Sequence, residues 1–129
     1  MSAQKEITDL MNLYCKAIDS GDLKTFGKLF ATASWVAEGR VPGPNSMNNM
    51  ILYEDGTPRT KHVTTNLTLD IDEAAGTASG HCYVTVYQQT SDFPLQAIFV
   101  GEYYDTFSRS AQDWAFTRRE IRNSLIGNM

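Results

Sequence analysis

Cysteine is scarce in this chain of 129 residues: Cys15 and Cys82 are the only two. They stand far apart in hydrophobic-patterned segments without metal-type spacing, which excludes a disulfide framework and a zinc site built on cysteine. Buried free thiols in a reducing compartment remain, so a cytoplasmic setting is the default expectation. Long hydrophobic runs are missing as well. No stretch of about 18 apolar residues could span a bilayer, and the first residues lead into an amphipathic pattern holding Glu6 and Asp9 rather than a secretory core. The Asn66-Leu67-Thr68 sequon is therefore expected to stay unmodified, and no membrane partner is expected. Basic charge is in deficit: 11 Lys and Arg against 15 Asp and Glu give a net charge of -4. The cluster Arg118, Arg119 and Arg122 is too small to make a phosphate-binding stripe, so no nucleic-acid partner is expected.

Also absent are a glycine-rich phosphate loop, a nucleophile elbow and a dinucleotide fingerprint, so kinase, serine-hydrolase and nicotinamide chemistry lack support. The two histidines, His62 and His81, form no metal-ligand pair at helical spacing. Neither a metal nor a cofactor is expected.

What is present is the composition of a globular chain, 42% hydrophobic and 20% charged, of a length that suits one domain spanning residues 1–129. Ile7, Leu10, Met11, Tyr14, Ala17 and Ile18 recur at intervals of three and four, which lays one helical stripe on a core. Ser20-Gly21-Asp22 ends that helix. Gly21 can take the left-handed conformation, and Ser20 or Asp22 can cap a second helix burying Leu23, Phe26, Leu29 and Phe30. The stretch Gly39 to Asn45, with two prolines and two glycines, breaks the chain before a short helix over Ser46 to Tyr53. After the Asp55-Gly56 turn the period becomes two, giving strands at about 61–71, 77–90, 95–107 and 113–122. Short turns between long strands imply antiparallel neighbours. Helices first and a meander last predict an α+β fold, in which a strongly curved, mainly antiparallel sheet closes around the N-terminal helices as a cone-shaped barrel.

The ordered set Ile7-x-x-Leu10, Ala17-Ile18-Asp19-Ser20-Gly21-Asp22, Leu29-Phe30, Trp35 and Lys61-His62-Val63-Thr64-Thr65-Asn66 resembles the SnoaL-like family of the nuclear transport factor 2 superfamily. The likeness continues through Gly76-Thr77-Ala78, Gly101-Glu102-Tyr103-Tyr104-Asp105 and Trp114-Ala115-Phe116-Thr117-Arg118-Arg119, nearly the whole chain. Within that family the hexachlorocyclohexane dehydrochlorinases and scytalone dehydratases are lyases with an Asp–His pair beside an apolar cavity. The resemblance implies Asp19 and His62 as the catalytic pair, Arg119 as the dehydrochlorinase arginine, and a dimer or trimer. Two departures stand out. The dehydrochlorinase lysine falls on Tyr14, and the second dehydratase histidine falls near Cys82, whereas His81 is one residue off and should face the other way.

Histidine is the one side chain whose ordinary pKa lies near neutrality, and a carboxylate bonded to one ring nitrogen frees the other to take a substrate proton. Asp19 and His62 are thus the candidate base; a structural hydrogen bond in a binding module is the other reading. Thr64 and Asn66 share the face of His62 on a regular strand, a polar line that meets either a ligand or solvent. A bulge would reconcile an inward histidine with an inward leucine row. Arg119 calls for a carboxylate, Glu102 or Asp105, or an anionic ligand. Tyr14, Trp35, Cys82 and Phe99 join Asn66 and Arg119 as candidate substrate contacts, while Trp35, Tyr53, Tyr83, Phe99 and Tyr103 read first as wall and core. Their abundance suits a small hydrophobic or aromatic molecule. The competing expectations are a cofactor-independent lyase or isomerase, and a non-catalytic ligand-binding or assembly domain whose outer sheet face carries Tyr83, Thr85, Tyr87 and Gln89.

Overall fold

The computed structural model describes residues 2–37 and 53–127; the helix expected over Ser46 to Tyr53 lies almost wholly outside them. Two helices come first, α1 (Ala3–Ser20) and α2 (Leu23–Leu29), followed by strands β1 (Ser34–Ala37), β2 (Thr60–Asp72), β3 (Thr77–Gln88), β4 (Gln96–Ser110) and β5 (Asp113–Ile126). The Ser2 side chain accepts the Lys5 amide to start α1. At the other end Gly21 sits at φ 75, its amide bonded to Ile18 and the Asp22 amide to Ala17. This is the double closure that a left-handed glycine permits. Asp22 then caps α2 by accepting the Thr25 amide and hydroxyl. The two helices therefore meet at a fixed corner.

The stripe on α1 buries Ile7, Met11, Tyr14, Ala17 and Ile18, with Ala3 added at its start. On α2 only Phe26 is fully buried. Leu23, expected inside, is exposed because it opens the helix at the solvent side of the corner.

The strands form one mixed sheet in the order β1-β5-β4-β3-β2. The β2, β3, β4 and β5 neighbours are antiparallel, as expected, and β1 adds a short parallel edge on β5 that the sequence pattern did not show. Alternation along β3 sends Ala78, Gly80, Cys82, Val84 and Val86 to the helix side. The layer between sheet and helices is largely aromatic. Tyr14 packs against Phe26, Phe30 and Tyr103, Phe26 against Trp35, and Phe116 against Phe30 and Phe107, with ring centroids 4.8–5.8 Å apart. Such tilted, edge and stacked contacts add to the burial of the rings themselves.

Two register shifts decide what faces this core. In β2 one extra residue lies between Thr65 and Thr68, and Asn66 there has φ 57. Inward positions change from His62 and Thr64, opposite Val86 and Val84, to Leu69 and Ile71, opposite Gly80 and Ala78. In β5 the shift opposite Thr106 and Phe107 does the same: Trp114 and Phe116 face inward before it, Arg119 and Ile121 after it. A one-residue slip exchanges the two faces of a strand.

Candidate functional site

Asp19 stands one residue before the end of α1, where the helix delivers it to the start of β2. Its Oδ1 lies 2.6 Å from His62 Nδ1 and 2.9 Å from the donating Thr60 hydroxyl, while Oδ2 accepts the His62 main-chain N–H at 2.8 Å. Residues 43 positions apart thus share one carboxylate, with side-chain exposures of 14% for His62 and 10% for Asp19. Burial would raise the Asp19 carboxyl, but hydrogen bonds from the His62 ring, the His62 main chain and Thr60, joined by the ring's charge whenever it is protonated, outweigh it and hold the group below its ordinary value. An ionised carboxylate only accepts, so Nδ1 carries the proton facing it. In the neutral ring, Nε2 is then the free acceptor.

The other candidates divide. Tyr14 is buried, and its hydroxyl accepts the Trp35 indole N–H at 3.1 Å and is hydrogen-bonded to Tyr103. Burial pushes its phenol up, against the opposing charge of Arg119. Trp35, Cys82 and Phe99 all belong to the buried inner layer. Burial pushes the Cys82 thiol up to about 12 and that of Cys15 up to about 11.

Asn66 departs from its expected place. The regular alternation that would align it with His62 and Thr64 stops at the β2 shift, and its side chain is exposed. Of the two places expected for Tyr83, the structure has the outer sheet face, at 45% exposure, and not the core. His81 faces outward opposite to Cys82 and pairs with Glu102 at 2.6 Å.

Arg119 is fully enclosed. Nε and Nη2 donate to the two oxygens of Asp105 at 2.7 and 2.8 Å, with both side chains at 0% exposure. The guanidinium also lies over the rings of Tyr14, Tyr103 and Phe116 at 4.2, 3.9 and 4.9 Å. The carboxylate partner is therefore Asp105, of the two considered. Nη1 has no hydrogen-bond partner among the described residues.

Thr60 is the polar contact that the sequence reading passed over. It lies two residues before His62, and period two puts both on one face; taking the strand to begin at residue 61 hid it. No group of three or more His, Cys, Asp or Glu side chains among the described residues could hold a metal ion. None of the helices among them is long and apolar enough to cross a membrane.

The family model described as a SnoaL-like domain matches residues 1–120. The chain belongs to the SnoaL-like domain family. Curated protein sequences offer no match to it, but solved structures do. A hexachlorocyclohexane dehydrochlorinase of Novosphingobium barchaimii is 21% identical over 98% of this chain and 90% of its own, with a TM-score of 0.76. A candidate scytalone dehydratase from Novosphingobium aromaticivorans is 19% identical over 98% of this chain and 87% of its own, with a TM-score of 0.77. A nuclear transport factor 2-like protein from the same organism, with a cystatin-like fold, is 23% identical over 93% and 80%, with a TM-score of 0.75. At these identities the likeness establishes the fold, the cone of the nuclear transport factor 2-like proteins, to which this SnoaL-like chain conforms.

Proposed function

We propose that this SnoaL-like protein is a cofactor-independent lyase or isomerase acting on a small, largely apolar molecule. The observation that carries the reading is the 2.6 Å contact between Asp19 Oδ1 and His62 Nδ1, made where both side chains are mostly withdrawn from water. His62 Nε2 removes a proton from carbon next to a carbonyl or a leaving group. Asp19 holds the ring in the required tautomer and steadies the imidazolium that forms. The fold neighbours named for dehydrochlorination and dehydration support this class of reaction without fixing a substrate. The aromatic inner layer suits an apolar ligand. Asn66, exposed on its bulge, is not assigned a contact with it.

The test uses 5-nitrobenzisoxazole, whose ring opens when a base takes its C3 proton: the C–H pair becomes part of the nitrile and the N–O bond breaks to release a phenolate. His62→Ala is expected to lower turnover about 10²–10⁴-fold, and Asp19→Asn to lower it as well, both with the native circular dichroism. Turnover retained by both variants would show that the base is elsewhere. Ligands that co-purify with the protein, identified by mass spectrometry, would then narrow the substrate.

A second reading, an assembly or ligand-binding domain, draws on a different face. Val63, Tyr83, Tyr87 and Tyr104 are exposed on the outer side of the sheet, an apolar surface of the kind that marks contact sites. On this reading the surface joins copies of the chain into a dimer or trimer. Light scattering across a concentration series is expected to show a mass above 14.4 kDa; a monomer throughout would remove the assembly proposal.

A further inference from the structure

We infer that Thr60 is a positioning residue of the Asp19–His62 pair, fixing the rotation of the carboxylate that meets the imidazole and restraining its pull on the ring proton. The inference rests on the proposed role of His62 as the base.

Two of the three donors to Asp19 come from His62 itself, one from its ring and one from its main chain. Those two alone leave the carboxylate room to rock, because the terminal torsion of an aspartate is broad. The Thr60 hydroxyl narrows that rocking, since it reaches Oδ1 at 2.9 Å from a different residue and a different angle. Thr60 is itself buried, and its one hydroxyl proton is committed to this bond.

The electrostatic consequence follows from the shared acceptor. Oδ1 receives the Nδ1 proton and the hydroxyl proton together, so the hydroxyl draws off part of the charge that would otherwise concentrate on the ring contact. That keeps the proton on Nδ1 and the lone pair on Nε2. The backbone on either side holds Thr60 in place. It pairs with Gln88 of β3, and Arg59 before it lies at φ 55, a left-handed conformation disfavoured for a side-chain-bearing residue. The turn is tied to β3 by the Gln88 side chain, which donates to Pro58 O at 3.0 Å. A strained residue kept next to an inward hydroxyl is the expected trace of a position under constraint.

Thr60→Val removes the hydroxyl at nearly constant shape, and Thr60→Ser retains it. In the unliganded full chain, ¹³C NMR of the Asp19 carboxyl should show its midpoint rising in the valine variant and staying at the wild-type position in the serine variant. ¹⁵N spectra of the His62 ring should show a single Nδ1–H form in wild type and serine variant, and exchange between forms in the valine variant. With 5-nitrobenzisoxazole, kcat should fall about tenfold in the valine variant and KM should stay within about twofold, with recovery in the serine variant. Wild-type carboxyl and ring spectra in the valine variant would overturn the inference, even with His62 as the base. Loss of the base assignment shows separately, as turnover that survives His62→Ala. Should the valine variant fail to fold, the Thr60 hydroxyl proton of the wild type gives the answer: slow exchange with solvent and coupling to the Asp19 carboxyl support the inference, and fast exchange refutes it.

Discussion

Asp105→Asn is expected to be among the most destabilising single changes in this protein, and the structure gives its size. Asp105 receives two parallel hydrogen bonds from Arg119 at 2.7 and 2.8 Å, with neither side chain exposed. Asparagine keeps one acceptor oxygen and turns an NH₂ group toward a guanidinium that can only donate. The guanidinium then stays buried and charged, with Nη1 already unpartnered among the described residues. Removing one member of such a pair costs about 3–5 kcal/mol. Stacking on Tyr14, Tyr103 and Phe116 offsets little of it, because those contacts exist before and after the change. For a domain of this size the loss corresponds to a fall of roughly 10–20 °C in Tm. Replacing both partners by apolar side chains, Asp105→Leu with Arg119→Met, removes the stranded charge and should recover most of the loss. Urea unfolding of wild type, Asp105→Asn, Arg119→Met and the apolar double variant reads all four values. A cost below about 1 kcal/mol for Asp105→Asn, or a double variant no more stable than either single, would refute the buried-charge argument.

Two further outcomes follow from the titrating groups. The folded carboxyl of Asp19 lies below its unfolded value of 3.8, so its contribution is fully present above that pH and is lost as the pH falls through the folded value. Urea midpoints measured from about pH 5 down to about pH 2.5 should fall more steeply for the wild type than for Asp19→Asn, and parallel curves would contradict the assignment. The Cys82 and Cys15 thiols, pushed up by burial to about 12 and about 11, hold almost no thiolate at neutral pH. Neither should react with Ellman's reagent until the protein is unfolded; rapid titration of either in the native state would show that it is accessible.

Much of the frame was legible because it rests on local rules. The stripe on α1, the corner at Gly21 and the period-two strands each follow from a few neighbouring residues, and all appear where those residues put them. The strand β1 was not legible: four residues are too few for a period, and its parallel partner lies more than eighty positions away in β5. The Asp19–His62 meeting was reached through family resemblance rather than local pattern, since nothing in either segment alone points to the other.

The misplacement of Asn66 has a different cause. Alternation tells which residues share a face only while the ladder is regular, and an inserted residue leaves no compositional mark when it is an ordinary Asn or Thr. In β2 the insertion lets an inward His62 precede an inward Leu69, and in β5 it lets Arg119 share the core with Trp114 and Phe116. Strict alternation would have sent the leucine row, or the arginine, out into water. Both shifts therefore serve the same end. Each allows one strand to carry an apolar run and a buried ionisable group on the same side of the sheet. The cost of burying those groups is met by Asp19 in one case and Asp105 in the other. The polar line of His62 stops at the bulge on its C-terminal side, where Asn66 leaves it, and extends, unbroken, toward the start of the strand, where Thr60 joins it.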